Sequence, residues 1–236
     1  MKKSTIMITA AVLIILGSLT AFNIKIKQIY LTGAYKNRFN GMDFVNMKGL
    51  ENLDIKSSNR LNIQIEHGDQ EGVWMTKDKK SNYIIDFDQH TLKLGLSKEA
   101  EETGHHSWGD IIIITKNLNK VTTSPFLQDD EDLANHVGSI DVRGYRISKL
   151  DLHISPSVTI SLHKMQLDTL NAIVGDKKYG NAELYIASDS KINTANLTVP
   201  GKSTLNLADP KITKAIYNLS DSATVSLNGK MVQMIK

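Results

Sequence analysis

Four near-copies of one heptad constrain the fold more than any other feature of this chain. They read K-L-D-L-H-I-S from Lys149, T-L-N-A-I-V-G from Thr169, T-A-N-L-T-V-P from Thr194 and K-A-I-Y-N-L-S from Lys214, and so start 20, 25 and 20 residues apart. A second apolar column follows each heptad: Ile160 with Leu162, Leu184 with Ile186, Leu205 with Leu207, and Val225 with Leu227. A third places a lysine before an apolar residue, at Lys164-Met165, Lys191-Ile192, Lys211-Ile212 and Lys230-Met231. Alternation of apolar and polar residues marks strands with one buried face. One such unit cannot hide its apolar face alone, so the repeats are expected to stack, each layer pairing its backbone with the next. The pattern predicts an all-β chain wound as a parallel β-helix, with coils of about 20 residues and three short strands per coil. The extra residues of the second unit, Lys177 to Asn181, fall between two columns and read as a bulging surface turn.

The N-terminus carries a different signal. Met1-Lys2-Lys3 precedes Ser4 to Phe22, a stretch without a charge and rich in Ile, Leu and Val. That length is at the short end of what crosses a bilayer as a helix. Leu16 and Leu19 interrupt the small-residue pattern a signal peptidase needs, and no cysteine is present for lipidation. The expected organisation is a cytoplasmic N-terminus (1–5), a transmembrane signal anchor (6–24), a juxtamembrane connector (25–43) and a strand domain (44–236). The domain would then lie in the periplasm on a single-pass inner-membrane anchor, or be exported if the segment were cleaved. The formal net charge is +3, with Lys and Arg scattered singly, which argues against nucleic acid. The absence of cysteine excludes disulfides, thiolate metal sites and cysteine nucleophiles.

Between Phe44 and Ile147 the strand signals are less regular. Leu61, Ile63 and Ile65 alternate before a Gly68-Asp69 turn, as do Tyr83, Ile85 and Phe87, and then Leu92, Leu94 and Leu96. Ile111 to Ile114 has no alternation, which fits a strand covered on both faces. The order of these elements carries a resemblance. A phenylalanine strand opens near Phe44, I-Q-I-E-H-G-D follows at Ile63 to Asp69, and T-L-K-L stands at Thr91 to Leu94. The isoleucine run and a closing L-S-D-S-A-T-V-S-L-N-G at Leu219 to Gly229 complete the set. This resembles the auto-transporter adhesin head domain called GIN, a domain of unknown function common in Bacteroidetes envelope proteins, over about Phe44 to Val232. The resemblance implies a right-handed parallel β-helix exposed in the envelope. It leaves chemistry open, because the matching residues are those of turns and ladders. Two insertions, Lys98 to Trp108 and Phe126 to His136, depart from the simplest members.

Motifs for chemistry are few. No G-x-S-x-G, H-E-x-x-H or glycine-rich phosphate loop occurs. His105-His106, with His67 or His90, reads as a solvated loop rather than a ligand set, and Asp129-Asp130-Glu131-Asp132 as a hydrated insertion rather than a calcium loop. No metal and no cofactor are therefore expected. Lys164, Lys191, Lys211 and Lys230, if stacked at one corner, would form a basic ridge able to meet an anionic glycan or lipid headgroup. His153 and His163 should face solvent. The reading is a membrane-anchored, envelope-exposed, non-catalytic domain that binds or scaffolds. Its partner would be a glycan, an envelope protein, or its own copies through the C-terminal edge around Met231 to Ile235. The alternative is a polysaccharide lyase or hydrolase, whose acids would come from Asp151, Asp168, Asp176, Asp189, Asp209 or Asp221.

Overall fold

The computed structural model describes residues 3–33, 36–104, 111–127 and 136–229. They fall into two compact units, Met1–Met42 and Asp43–Lys236.

The first unit is dominated by the helix α1 (Lys3–Thr32). At 1.5 Å per residue its 30 residues reach about 45 Å, more than the roughly 30 Å of a hydrocarbon core. It therefore covers the expected span and continues through Lys25 and Lys27 into the first part of the expected connector. Four of its hydroxyls, those of Thr9, Ser18, Thr20 and Thr32, bond within the helix; Thr9 Oγ1 donates to the Thr5 carbonyl at 2.9 Å and Thr20 Oγ1 to the Leu16 carbonyl at 2.8 Å. None of these four is left needing an outside partner, which suits an apolar surround.

The second unit contains seventeen strands among the described residues, divided between two sheets. One has nine strands in the order β1 (Met42–Asn46), β4 (Gly72–Thr76), β7 (Ile111–Thr115), β3 (Asn62–His67), β9 (Gly138–Arg143), β11 (Val158–His163), β13 (Glu183–Ile186), β15 (Thr204–Leu207) and β17 (Thr224–Leu227). The other has eight, in the order β16 (Lys211–Leu219), β14 (Lys191–Val199), β12 (Gln166–Val174), β10 (Arg146–Ile154), β8 (Lys120–Thr123), β2 (Asn52–Ile55), β6 (Thr91–Leu96) and β5 (Tyr83–Asp88). Both sheets turn alternate side chains onto one shared core, in which Leu152, Leu162, Leu184 and Leu205 are fully buried. Each such leucine contributes on the order of 2 kcal/mol by leaving water.

The expected right-handed parallel β-helix is overturned by this architecture. The domain is a pair of large mixed sheets: β4 runs antiparallel to β7, and β5 antiparallel to β6. Nor does each repeat hold three strands. The third apolar column and the following heptad belong to one nine-residue strand, as in Lys191–Val199, where Ile192, Ala195, Leu197 and Val199 all point inward. The step of three from Ile192 to Ala195 spans Asn193, where the pairing with β16 lapses for one residue and resumes at Thr194 in the same register. The heptads themselves lie side by side: Lys149 opposite Thr169, Thr169 opposite Thr194, Thr194 opposite Lys214. Ile111 to Ile114 is buried throughout, between β3 and β4. A short helix, α2 (Lys98–Glu102), occupies part of the first insertion, its first turn capped by Ser97 Oγ, which accepts from the Ala100 amide at 3.3 Å.

Candidate functional site

The outward face of the eight-stranded sheet carries the site. Two rows of side chains cross its strands there. One runs Asn52, Lys120, Asp151, Asn171, Asn196, Ile216 and the other Asp54, Thr122, His153, Ile173, Thr198, Asn218, each opposite the next in register. Three contiguous depressions follow these rows. The first, about 490 Å³, lies over Asn52, Asp54, Lys56 and Lys120. The second, about 190 Å³, lies between Lys120, Asp151, His153 and Asn171. The third, about 310 Å³, opens beyond His153 and Ile173 toward Pro125, Leu127 and Tyr179. Shared lining residues join them into one groove: Lys120 belongs to the first and second, His153 and Ile173 to the second and third, and Thr122 to the first and third.

Each wall of the apolar end is fixed by local chemistry. Ser58 to Arg60 form a buried 3-10 turn. Asn59 holds the passing chain twice, its Oδ1 accepting from the Phe126 amide at 2.7 Å and its Nδ2 donating to the Phe126 carbonyl at 3.2 Å. The Arg60 guanidinium lies 4.6 Å from the centre of the Phe126 ring and donates to the Glu101 carbonyl at 2.9 Å. These contacts set Pro125 and Leu127 along one side. On the other, Asp176 Oδ1 accepts from the amides of Lys178 at 2.8 Å and Tyr179 at 2.6 Å, which closes the five-residue bulge and turns Tyr179 to the groove. Beneath, Thr123 and Ser155 bond to one another: the Thr123 hydroxyl donates to Ser155 Oγ at 2.9 Å and accepts from the Ser155 amide at 2.7 Å.

The polar row is a bonded ladder. Asn196 Nδ2 donates to Asn171 Oδ1 at 2.7 Å, Asn171 Nδ2 to Asp151 Oδ1 at 2.7 Å, and Lys149 Nζ to Asp151 Oδ2 at 2.9 Å. Desolvation raises the Asp151 pKa, but the bonds from Asn171 and Lys149 with the charges of Lys149 and Lys120 outweigh it. The carboxyl is held below its ordinary value. A depressed carboxylate adds stability above its unfolded pKa, near 3.9, and loses it as pH falls through the folded value. Asp151→Asn is therefore expected to lower the thermal midpoint at pH 7 and to differ less from the parent at pH 3. An equal deficit at both pH values would show that the charge plays no part.

The residues singled out from sequence are placed unevenly. Lys191 and Lys211 stand opposite one another on β14 and β16. The next position of that row is Gln166, followed by Arg146. Lys164 instead occupies a turn at φ 52°, its amide donating to Asp189 Oδ1 at 2.8 Å, and Lys230 lies outside the described residues. His153 is exposed in the groove, whereas His163 is half-buried beside Tyr185 on the other sheet. His67 packs edge-on against Tyr145 and His90 closes a hairpin, with Nδ1 2.6 Å from the Gly49 carbonyl. His105, His106, Trp108 and the acids 129–132 lie outside the described residues. Among the described residues no three His, Asp or Glu side chains gather as a metal-binding group. Asp168 accepts from Asn193 at 2.9 Å, and Asp176 and Asp189 bond turn amides, as side chains that stabilise local backbone do. Sequence reading placed Tyr179 in a surface turn and singled out neither Leu127 nor the ladder, although the ladder's members Asp151, Asn171 and Asn196 are the third residues of the first three heptads.

No protein-family model and no curated protein matches the chain. Solved structures do. A candidate adhesin from Bacteroides fragilis is 12% identical with a TM-score of 0.47, covering 78% of this chain and 95% of its own. A candidate lipid-binding protein from Parabacteroides distasonis is 13% identical, with a TM-score of 0.38 and coverages of 79% and 96%. A candidate adhesin from Parabacteroides merdae is 10% identical, with a TM-score of 0.36 and coverages of 79% and 95%.

Proposed function

We propose that this protein is a membrane-anchored, envelope-exposed domain that binds or scaffolds without catalysis, and that the grooved face of the eight-stranded sheet is its contact surface. The observation that carries this reading is the continuity of the groove: three depressions share residues across neighbouring strands, on a face that offers both an apolar end and a polar ladder. The apolar helix α1 supports anchoring, since its length suffices to cross a bilayer and its stretch from Ser4 to Phe22 carries no charge. Partners in keeping with the face are a glycan or another envelope protein, and the balanced charge disfavours nucleic acid.

Self-association is a second reading, favoured by a separate observation. Beyond β16 no strand pairs among the described residues, and Ile216, Tyr217 and Leu219 on that edge strand are 46%, 39% and 40% exposed. An uncovered edge with apolar side chains invites another strand.

The test uses the full chain in lipid nanodiscs, exposed to immobilised surface polysaccharides and to envelope protein extracts. Saturable retention is expected, weakened at least about tenfold, or about 1.4 kcal/mol, by Ile173→Asp with an unchanged thermal midpoint. Retention that ignores this substitution would remove the groove as the contact surface. Cleavage of a retained polysaccharide would make the protein an enzyme instead.

A further inference from the structure

Resting on the reading of the groove as a binding face, we infer that its occupant is a neutral, linear glycan lying across the strands. Direction comes first. The groove passes over β6, β2, β8, β10 and β12, five neighbouring strands, and so extends about 19 Å at the roughly 4.8 Å spacing of paired strands. It runs perpendicular to the chain direction. The strands beneath it are interior to the sheet, with their backbone groups used on both sides. An extended peptide gains affinity by adding backbone bonds at a strand edge, and this floor has none to give. What it presents is side chains alone, repeating from strand to strand, as an elongated polymer would meet them.

Charge decides the class of polymer. The groove's charges cancel: Lys56, Lys120 and the adjoining Lys149 stand against Asp54, Asp151 and Asp176. Lys56 Nζ lies 3.0 Å from Asp54 Oδ1, Lys149 Nζ lies 2.9 Å from Asp151 Oδ2, and the Lys120 charge also acts on Asp151. A polyanion would find no net positive field here, and a polycation no net negative one. The remaining inventory is amide, hydroxyl and imidazole: Asn52, Thr91, Thr122, His153 and Asn171. These groups both donate and accept, which is what sugar hydroxyls require, since a hydroxyl also does both. At the far end Ile173, Leu127, Pro125 and Tyr179 give an apolar platform for the carbon-bound hydrogens of a pyranose face. Charged side chains along most of the length disfavour an acyl chain, whose burial there would strip Asp54 and Lys120 of water.

Isothermal titration of the full chain in phosphatidylcholine nanodiscs tests this; sugar-headed detergents are avoided because they would compete. The probes are neutral hexasaccharides of glucose, mannose and xylose, their disaccharides, and acidic hexasaccharides of uronic acids. At least one neutral hexasaccharide is expected to bind at least about tenfold more tightly than its disaccharide and than the acidic probes. Thr122→Arg, which fills the middle of the groove, should weaken it about tenfold or more, while the pair Lys191→Ala and Lys211→Ala leaves it unchanged. Tighter binding of the acidic probes, lost in the lysine pair, would overturn the inference and move the site to those lysines. Silence toward every neutral hexasaccharide at millimolar concentration would also overturn it. If envelope proteins are then still retained through Ile173, the binding function stands and only the glycan fails.

Discussion

Gly138→Ala is expected to destabilise the strand domain by about 3 kcal/mol or more, enough to remove a large share of a typical domain's stability. A Cβ at this position would lie 1.8 Å from the Ser58 carbonyl oxygen and 2.9 Å from that of Leu61. Both obstacles are backbone, and neither can rotate away. Ser58 belongs to the buried 3-10 turn and Leu61 is fully buried. The glycine is equally fixed, since its amide donates to Ser157 at 3.0 Å and its neighbour Ser139 donates to Leu61 at 3.0 Å. Here β9 enters between β3 and β11, and only a residue without a side chain lets the turn pass this close. Gly144→Ala supplies the comparison. Its φ is 86° but its nearest neighbour is 3.8 Å away, so only backbone strain of about 1 kcal/mol is expected. Equilibrium unfolding in urea, followed by tryptophan fluorescence, reads both. Similar losses for the two alanines would mean that the turn yields, and that Asn59 and Arg60 do not hold the groove wall as described.

The legible and illegible parts of this fold divide by how local their causes are. Leu150, Leu152 and Ile154 announce an inward row by alternation alone, and the same offsets put Leu170, Ala172 and Val174 beside them. The hairpin between β5 and β6 shows its two strands by alternation but not its turn. Its two-residue turn is Gln89-His90, both at positive φ (44° and 64°), where Asn-Gly would have advertised it. The strain is offset by a tertiary bond, His90 to the Gly49 carbonyl, and by the His90 carbonyl accepting from the Glu51 and Asn52 amides at 3.0 Å. That antiparallel pair, with β4 on β7, is what makes the sheets mixed. In the groove the same division holds. The amide ladder could be read from the heptads, because its register follows from theirs. The Phe126 wall could not, since it depends on Asn59 and Arg60, 67 residues away for the asparagine bond. A buried arginine over a phenylalanine has no sequence signature.

The layered core predicts that one substitution will have two costs. Leu152 and Leu219 both point inward from the eight-stranded sheet, but Leu152 is fully buried between β8 and β12, whereas Leu219 on β16 is 40% exposed. Removing Leu152 to Ala leaves a cavity flanked by Val121 on β8 and Ala172 on β12, and an expected loss of about 3 kcal/mol. Leu219→Ala removes less contact and leaves a gap that water fills, for about 1 kcal/mol. The inward rows decline in this way toward β16: Ile154 and Val199 are almost wholly buried before Leu219 is reached. A monomeric protein should therefore show the threefold difference in urea unfolding at any concentration. If the Leu219 cost instead approaches that of Leu152, something covers this edge. A cost that grows with protein concentration, together with faster sedimentation, would identify the cover as a second copy, because association stabilises by mass action. A high cost independent of concentration would place the cover within the chain itself.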